Sequence, residues 1–125
     1  MNVIVISLLS AAQRRAFQQT QMDKLELDFE FLDATSIDDI NETTYKKHAK
    51  DWQRPLKKTE IACYYSHQSA WEKVIQNNEP ALILEDDALL SICTPKILVD
   101  LANKKDSDLI NLENRGRKKF VAKVG

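Results

Sequence analysis

The sequence predicts an α/β fold, a mainly parallel sheet flanked by helices. Three observations carry that expectation. An unbroken apolar run at 3–8 and a second at 81–84 have the length and composition of strands buried on both faces. Stretches with helical composition separate the strand candidates, and that alternation is the pattern of crossover units. The second run ends abruptly in three carboxylates, Glu85-Asp86-Asp87, and the carboxyl ends of parallel strands are where such sheets bind ligands.

The first strand, 3–8, opens the chain. Ser10 is a candidate cap for a helix over 11–25, which is rich in Ala, Gln, Arg and Leu. Arg14 and Arg15 fall in its first turns, beside the strand's carboxyl end; they are either a solvated face or a contact for an anionic ligand. Residues 27–32 alternate, with Leu27, Phe29 and Phe31 on one face, and form a second strand that ends at Asp33-Ala34. Ser36 is expected to cap a short helix over 37–45. A polar loop with Trp52 and Pro55 follows over 46–58; Trp52 is either its hydrophobic anchor, the expected role, or a platform for stacking a ligand.

Thr59 is the expected cap of a helix over 60–76. Its apolar arc is wide (Ile61, Cys63, Tyr64, Tyr65, Ala70, Trp71, Val74, Ile75), which predicts a mostly buried helix. Glu60 and His67 lie in that arc, so His67 is expected to be largely buried and hydrogen-bonded. Pro80 feeds the central strand. Beyond the carboxylates, Thr94 and Pro95 start a helix running to about 102. Further strands are expected at 108–113, ending at Glu113, and at 120–124.

The chain has 125 residues, 43% hydrophobic and 30% charged, enough for one folded domain. A formal net charge of −1 argues against a sequence-independent grip on nucleic acid. No apolar run approaches membrane-spanning length, and the first residues lack the pattern of a secretory signal. Cys63 and Cys93 have no metal-type spacing with each other and are expected to be buried thiols in a reducing compartment. With glycine only at 116 and 125, a glycine-rich phosphate loop is excluded. Bound phosphate would have to be held by metal, side chains or ordinary loop amides.

Strand geometry would place Glu85 and Asp87 on one side and Asp86 on the other. Carboxylates converging on one point favour a hard divalent cation with phosphate oxygens completing its shell; a solvated acidic turn is the plain alternative. A signalling receiver domain is ruled out, because Ser7-Leu8 and not an acidic pair follows the first strand.

Several stretches in order resemble glycosyltransferase family 25, the bacterial lipooligosaccharide galactosyltransferases. They are Val5-Ile6-Ser7-Leu8 with Arg14-Arg15, Phe31-Leu32-Asp33-Ala34, Glu60-Ile61-Ala62-Cys63-Tyr64-Tyr65-Ser66-His67 with Trp71, Ile83-Leu84-Glu85-Asp86-Asp87-Ala88, and Leu109-Ile110-Asn111-Leu112-Glu113. Thr59 and Ala62 depart from the family pattern, standing where many members have glycine. The resemblance implies a GT-A type fold, here expected to be truncated, and hexose transfer from a UDP-sugar, most simply UDP-galactose, to a lipooligosaccharide or lipopolysaccharide acceptor. It implies Mn²⁺ or Mg²⁺ at the acidic motif, with Asp87 as direct ligand and Glu85 or Asp86 giving a second ligand or a ribose contact. Ser7, Leu8, Asp33 and Ala34 would form the uridine pocket, with Arg14 and His67 as further donor-side contacts. Glu113 is the candidate carboxylate base. A cytoplasmic place with peripheral contact at the inner face of the inner membrane is implied, and self-association is expected to cover an unpaired sheet edge. The alternative is a fragment that binds nucleotide sugar without turning it over.

Overall fold

The computed structural model describes residues 1–113. Strand β1 (Asn2–Ser7) is followed by helix α1 (Ala12–Leu25), strand β2 (Phe29–Asp33), a 3₁₀ turn (Ile37–Asp39) and helices α2 (Glu42–His48) and α3 (Lys58–Asn77). Strand β3 (Ala81–Glu85) and helix α4 (Thr94–Ala102) complete the described elements. The sheet order is β2-β1-β3, and both pairings are parallel. The α/β class and the parallel sheet are therefore as expected.

The central strand shows why. Residues 3–7 of β1 are buried on both faces of the sheet. Val3 and Val5 point to one face, where they pack with Met22 of α1 and Leu98 of α4. Ile4 and Ile6 point to the other, against Ala70 and Val74 of α3. Each such fully buried aliphatic side chain contributes about 1.5–3 kcal/mol. Helices thus cover both faces, and β1 is the strand from which the chain first runs outward to β2 and later returns to β3. The gap between the carboxyl ends of β1 and β3 is the switch point of an open α/β sheet, the place where such folds bind ligands.

Several local expectations are corrected. Ser10 does not cap α1; Ala11 holds that position without a side-chain bond. The second strand starts at Phe29, two residues later than expected. The helix expected over 37–45 is two pieces. Ser36 caps only the 3₁₀ turn, and Asn41 caps α2 by accepting from the Thr44 amide at 2.8 Å. Because α2 runs to His48, the connecting loop is correspondingly shorter. Helix α3 begins at Lys58, so Thr59 lies inside it; Glu60 reaches back to the Lys57 amide at 2.7 Å and serves the free N–H groups of the first turn. Thr94 is the first residue of α4, behind Cys93 as its cap. Residues 108–113 lie outside the sheet, so Glu113 does not end a strand. The strand expected over 120–124 lies outside the described residues.

Burial also differs from expectation. Trp52 is 67% exposed and does not anchor its loop. The loop is instead held by Arg54, which forms a two-pronged pair with Glu60, and by a small cluster of Ile40, Ile61 and Ala62. Helix α3 buries Ile61, Ala62, Ser66 and Ala70, but Tyr64, Trp71 and Ile75 remain exposed. Its wide apolar arc does not translate into full burial, because among the described residues the sheet it covers has three strands. Both cysteines are exposed and unbridged, not buried.

Candidate functional site at the carboxyl ends of the strands

The strand ends at Glu85 and the chain turns there, the Ala88 amide donating to the Glu85 carbonyl at 3.1 Å. The expected strand alternation, with Glu85 and Asp87 sharing one side, therefore does not extend to Asp87, and the three carboxylates meet different surroundings. Asp86 turns inward and is 8% exposed. Its Oδ2 accepts from Ser7 Oγ at 2.7 Å, and its Oδ1 accepts from Arg14 Nη1 at 3.1 Å. A buried carboxylate needs partners of this kind, because desolvating an unpaired charge costs several kcal/mol. With both oxygens occupied, Asp86 is a brace between β3, β1 and α1.

Glu85, the last residue of β3, faces α3. Its Oε1 lies 3.1 Å from His67 Nε2 and 3.5 Å from Cys63 Sγ. Burial first, and the nearby Glu85 carboxylate second, push the Cys63 thiol up from its ordinary pKa. The His67 side chain is 31% exposed, so it is hydrogen-bonded as expected but less buried. Asp87 is exposed, and among the described residues its carboxylate makes no hydrogen bond or ion pair.

Neither arginine is a merely solvated residue. Arg14 pairs with Asp86 while its side chain stays 65% exposed. Arg15 is more deeply committed. Its Nε donates to the Leu8 carbonyl at 3.1 Å, and its Nη2 donates to the Ser7 carbonyl at 2.9 Å and to Asp33 Oδ1 at 2.6 Å. Its guanidinium also lies 4.8 Å from the Phe31 ring centroid. The planar fork suits such a multiple contact and ties the ends of β1 and β2 together. The Ala34 amide donates to the Ser7 carbonyl at 2.9 Å, and the Thr35 amide donates to Ser66 Oγ at 2.9 Å. Ser66 of α3 thereby fixes the turn that follows β2.

Of the expected pocket residues, Ser7 is 2% exposed and its hydroxyl is taken by Asp86. Leu8 and Asp33 are exposed, and Ala34 is half-buried. The structure thus brings Ser7, Arg14 and Asp86 together on one side, His67 and Glu85 on the other, and leaves Asp87 facing solvent. Glu60 is drawn away from this site. Arg54, and secondarily the Lys57 amide, hold its carboxyl at about 2. A depression of about 270 Å³ lined by Asn2, Asn77, Glu79, Pro80 and Ala81 sits at the opposite, amino-terminal ends of β1 and β3, away from the carboxylates.

Two supports escape the sequence reading. Gln18 is fully buried in α1, and its Nε2 donates to the carbonyls of Asp86 at 3.0 Å and Ala88 at 2.9 Å. Gln21 Oε1 accepts from the Leu90 amide at 2.8 Å, and its Nε2 donates to Ala88. Together they hold the backbone on which the carboxylates stand. The available signal was spacing. Gln18 precedes Met22 by one turn on the stripe that packs on β1, where an amide needs a buried partner. Cys63 and His67 carried a similar signal, four residues apart on one helix face.

Comparison with known proteins places the sequence in a family. The family model described as glycosyltransferase family 25 (LPS biosynthesis protein) matches residues 1–124. A lipooligosaccharide biosynthesis protein of Haemophilus influenzae is 35% identical over 103 residues, covering 77% of this chain and 37% of that protein. Procollagen galactosyltransferase 1-B of Xenopus laevis is 30% identical over 133 residues, covering 94% and 21% respectively. Inactive glycosyltransferase 25 family member 3 of Mus musculus is 32% identical over 95 residues, covering 68% and 16%. The chain spans well under half the length of each of these relatives. From its first strand through its acidic turn, this chain belongs to glycosyltransferase family 25.

Proposed function

We propose that the chain forms the donor-binding part of a GT-A-type hexosyltransferase that moves galactose from a UDP-sugar to a lipooligosaccharide or lipopolysaccharide acceptor, using Mn²⁺ or Mg²⁺. The observation that carries this reading is the position of Asp87. It is an exposed carboxylate just beyond β3, beside the switch point between β1 and β3.

The donor set fits a hard divalent ion. Asp87 is uncommitted among the described residues, and Glu85 keeps Oε2 without a hydrogen bond there. Such ions take carboxylate oxygens and leave positions for phosphate. When bound, the ion would stabilise the charge that develops on the departing nucleoside diphosphate. Asp86 is a positioning residue, because it fixes the turn that presents Asp87. Leu8, Asp33 and Ala34 border the crevice as uridine contacts, and Arg14 offers its remaining N–H groups to the diphosphate. Glu113 stands as the candidate base for the acceptor hydroxyl, a role that requires hydrogen-bond reach to that group.

The acceptor class rests on the names of relatives, which divide between lipooligosaccharide biosynthesis and procollagen galactosyl transfer. The family model's description and the bacterial relative favour the first. A second reading, donor binding without transfer, is favoured by the displacement of Glu113 from the sheet and by the similarity to an inactive family member. Among the described residues no helix is long and apolar enough to cross a membrane; peripheral contact with a membrane-borne acceptor is part of the proposal. Self-association remains part of the proposal, supported by exposed Leu89 (82%) and Ile92 (84%) after the acidic turn.

The test is release of UDP from UDP-galactose in the presence of Mn²⁺, with lipooligosaccharide, with a collagen peptide, and with neither. Release that depends on lipooligosaccharide supports the first reading. Binding with no release under any condition supports the second.

A further inference from the structure

We propose that Cys63, His67 and Glu85 form a site for a zinc-class transition-metal ion, centred away from Asp87 and sharing with the hard-cation position only Glu85, whose Oε1 faces Cys63 and His67. The three side chains offer one sulfur, one imidazole nitrogen and one carboxylate oxygen, and these atoms all lie within 4.8 Å of one another. Around a tetrahedral zinc ion, with bonds of about 2.0–2.3 Å, ligand atoms stand roughly 3.3–3.8 Å apart. Glu85 Oε1 is already 3.1 Å from His67 Nε2 and 3.5 Å from Cys63 Sγ. Closing the set around an ion therefore needs only small side-chain rotations.

The frame is suited to hold them. Cys63 and His67 are four residues apart on α3 and share one face. Glu85 ends β3, in register with Ile6 of the central strand. Helix and sheet are fixed to each other by Ala70 and Val74 packing on Ile4, Ile6 and Ile83. Only the ligand side chains have to adjust.

The ligand types decide which ion. A thiolate with an imidazole prefers Zn²⁺, or Co²⁺ as its probe, over Mn²⁺ and Mg²⁺, which favour all-oxygen sets. On binding, the Cys63 thiol proton and any proton on His67 Nε2 leave to the buffer. The thiolate and carboxylate then balance the two charges of the ion. Three protein ligands leave a fourth position open, and Cys63 is exposed enough for an ion to enter. Without metal, the same three groups form a hydrogen-bonded cluster centred on Glu85 Oε1.

The test is titration of the metal-free chain with Co²⁺, followed optically, and with Zn²⁺ against a chromophoric chelator. The expected result is one ion per chain with a thiolate-to-cobalt charge-transfer band that Zn²⁺ abolishes. Cys63→Ser should remove the band, and His67→Ala and Glu85→Gln should each weaken Zn²⁺ binding at least about tenfold, as expected for loss of one of three ligands. Circular dichroism checks that each variant is folded. Asp87→Asn should bind Zn²⁺ like wild type, so failure of the donor-binding proposal leaves this one standing. A cobalt spectrum without the thiolate band, or Zn²⁺ affinity unchanged in both Cys63→Ser and His67→Ala, would show that the cluster is a hydrogen-bonded brace only.

Discussion

Replacing Asp86 and Asp87 one at a time separates the brace from the proposed ligand. Asp86→Ala removes the 2.7 Å bond from Ser7 Oγ and leaves that hydroxyl buried in a residue 2% exposed. A hydrogen bond to a buried charge is worth about 1.5–3 kcal/mol. The Arg14 partner is 65% exposed, so its share is discounted to about 0.2–1 kcal/mol. The expected loss is about 2–4 kcal/mol. With a denaturant slope near 2 kcal/mol per molar urea, the unfolding midpoint should fall by about 1–2 M. Asp87→Ala should change stability by less than about 0.5 kcal/mol, as exposed substitutions do. The assay is urea unfolding followed by circular dichroism. Adding Ser7→Ala to the Asp86→Ala background should cost little more, because the two share one interaction; a double-mutant cycle should give a coupling of at least about 1 kcal/mol. Equal stability of the two single variants, or no coupling between Ser7 and Asp86, would refute the assignment of Asp86 as the internal brace.

Two further predictions concern supports of the site. Gln18→Ala should destabilise the chain by about 1–3 kcal/mol, since it strands the Asp86 carbonyl and leaves the Ala88 carbonyl with Gln21 as its remaining side-chain donor; hydrogen exchange should accelerate at the amides of residues 86–90 more than in α4, and uniform acceleration would count against a local role. The Glu60 carboxyl is held at about 2, below its ordinary value of 4.5, so its contribution to stability is fully present above pH 4.5 and is lost as pH falls through about 2. The melting difference between wild type and Glu60→Gln should therefore shrink steadily over that window, whereas an offset that stays constant down to pH 2 would contradict the Arg54–Glu60 pairing.

Much of the fold was legible because β1 and β3 are short apolar runs and the segments between them are long enough for crossover helices. Residue spacing also separates Glu85 from Asp86, as found, but its pairing of Asp87 with Glu85 does not carry over, because the chain turns directly after Glu85. Which partners they would find was not legible, because those lie far along the chain. Asp86 meets Ser7 across 79 positions, and Glu85 meets His67 across 18. Helix α3 is less buried than its sequence implies for a related reason. An apolar arc reports what a helix could bury, while the width of the sheet decides what it does bury, and Tyr64, Trp71 and Ile75 find no cover among the described residues. Local caps were misplaced by a residue or two wherever a backbone contact replaced a side chain, as at Ala11 and Lys57. Gln18 passed unnoticed because a glutamine in a helix is ordinary until its face is known to pack on the sheet.

A divalent ion at the strand ends is proposed to hold the nucleotide. Calorimetric titration with UDP, in Mn²⁺ and again in EDTA, tests it most directly. Binding is expected in Mn²⁺ and should disappear in EDTA and in folded Asp87→Asn. Equal UDP binding with and without the ion, or undiminished Mn²⁺-dependent binding in Asp87→Asn, would contradict it.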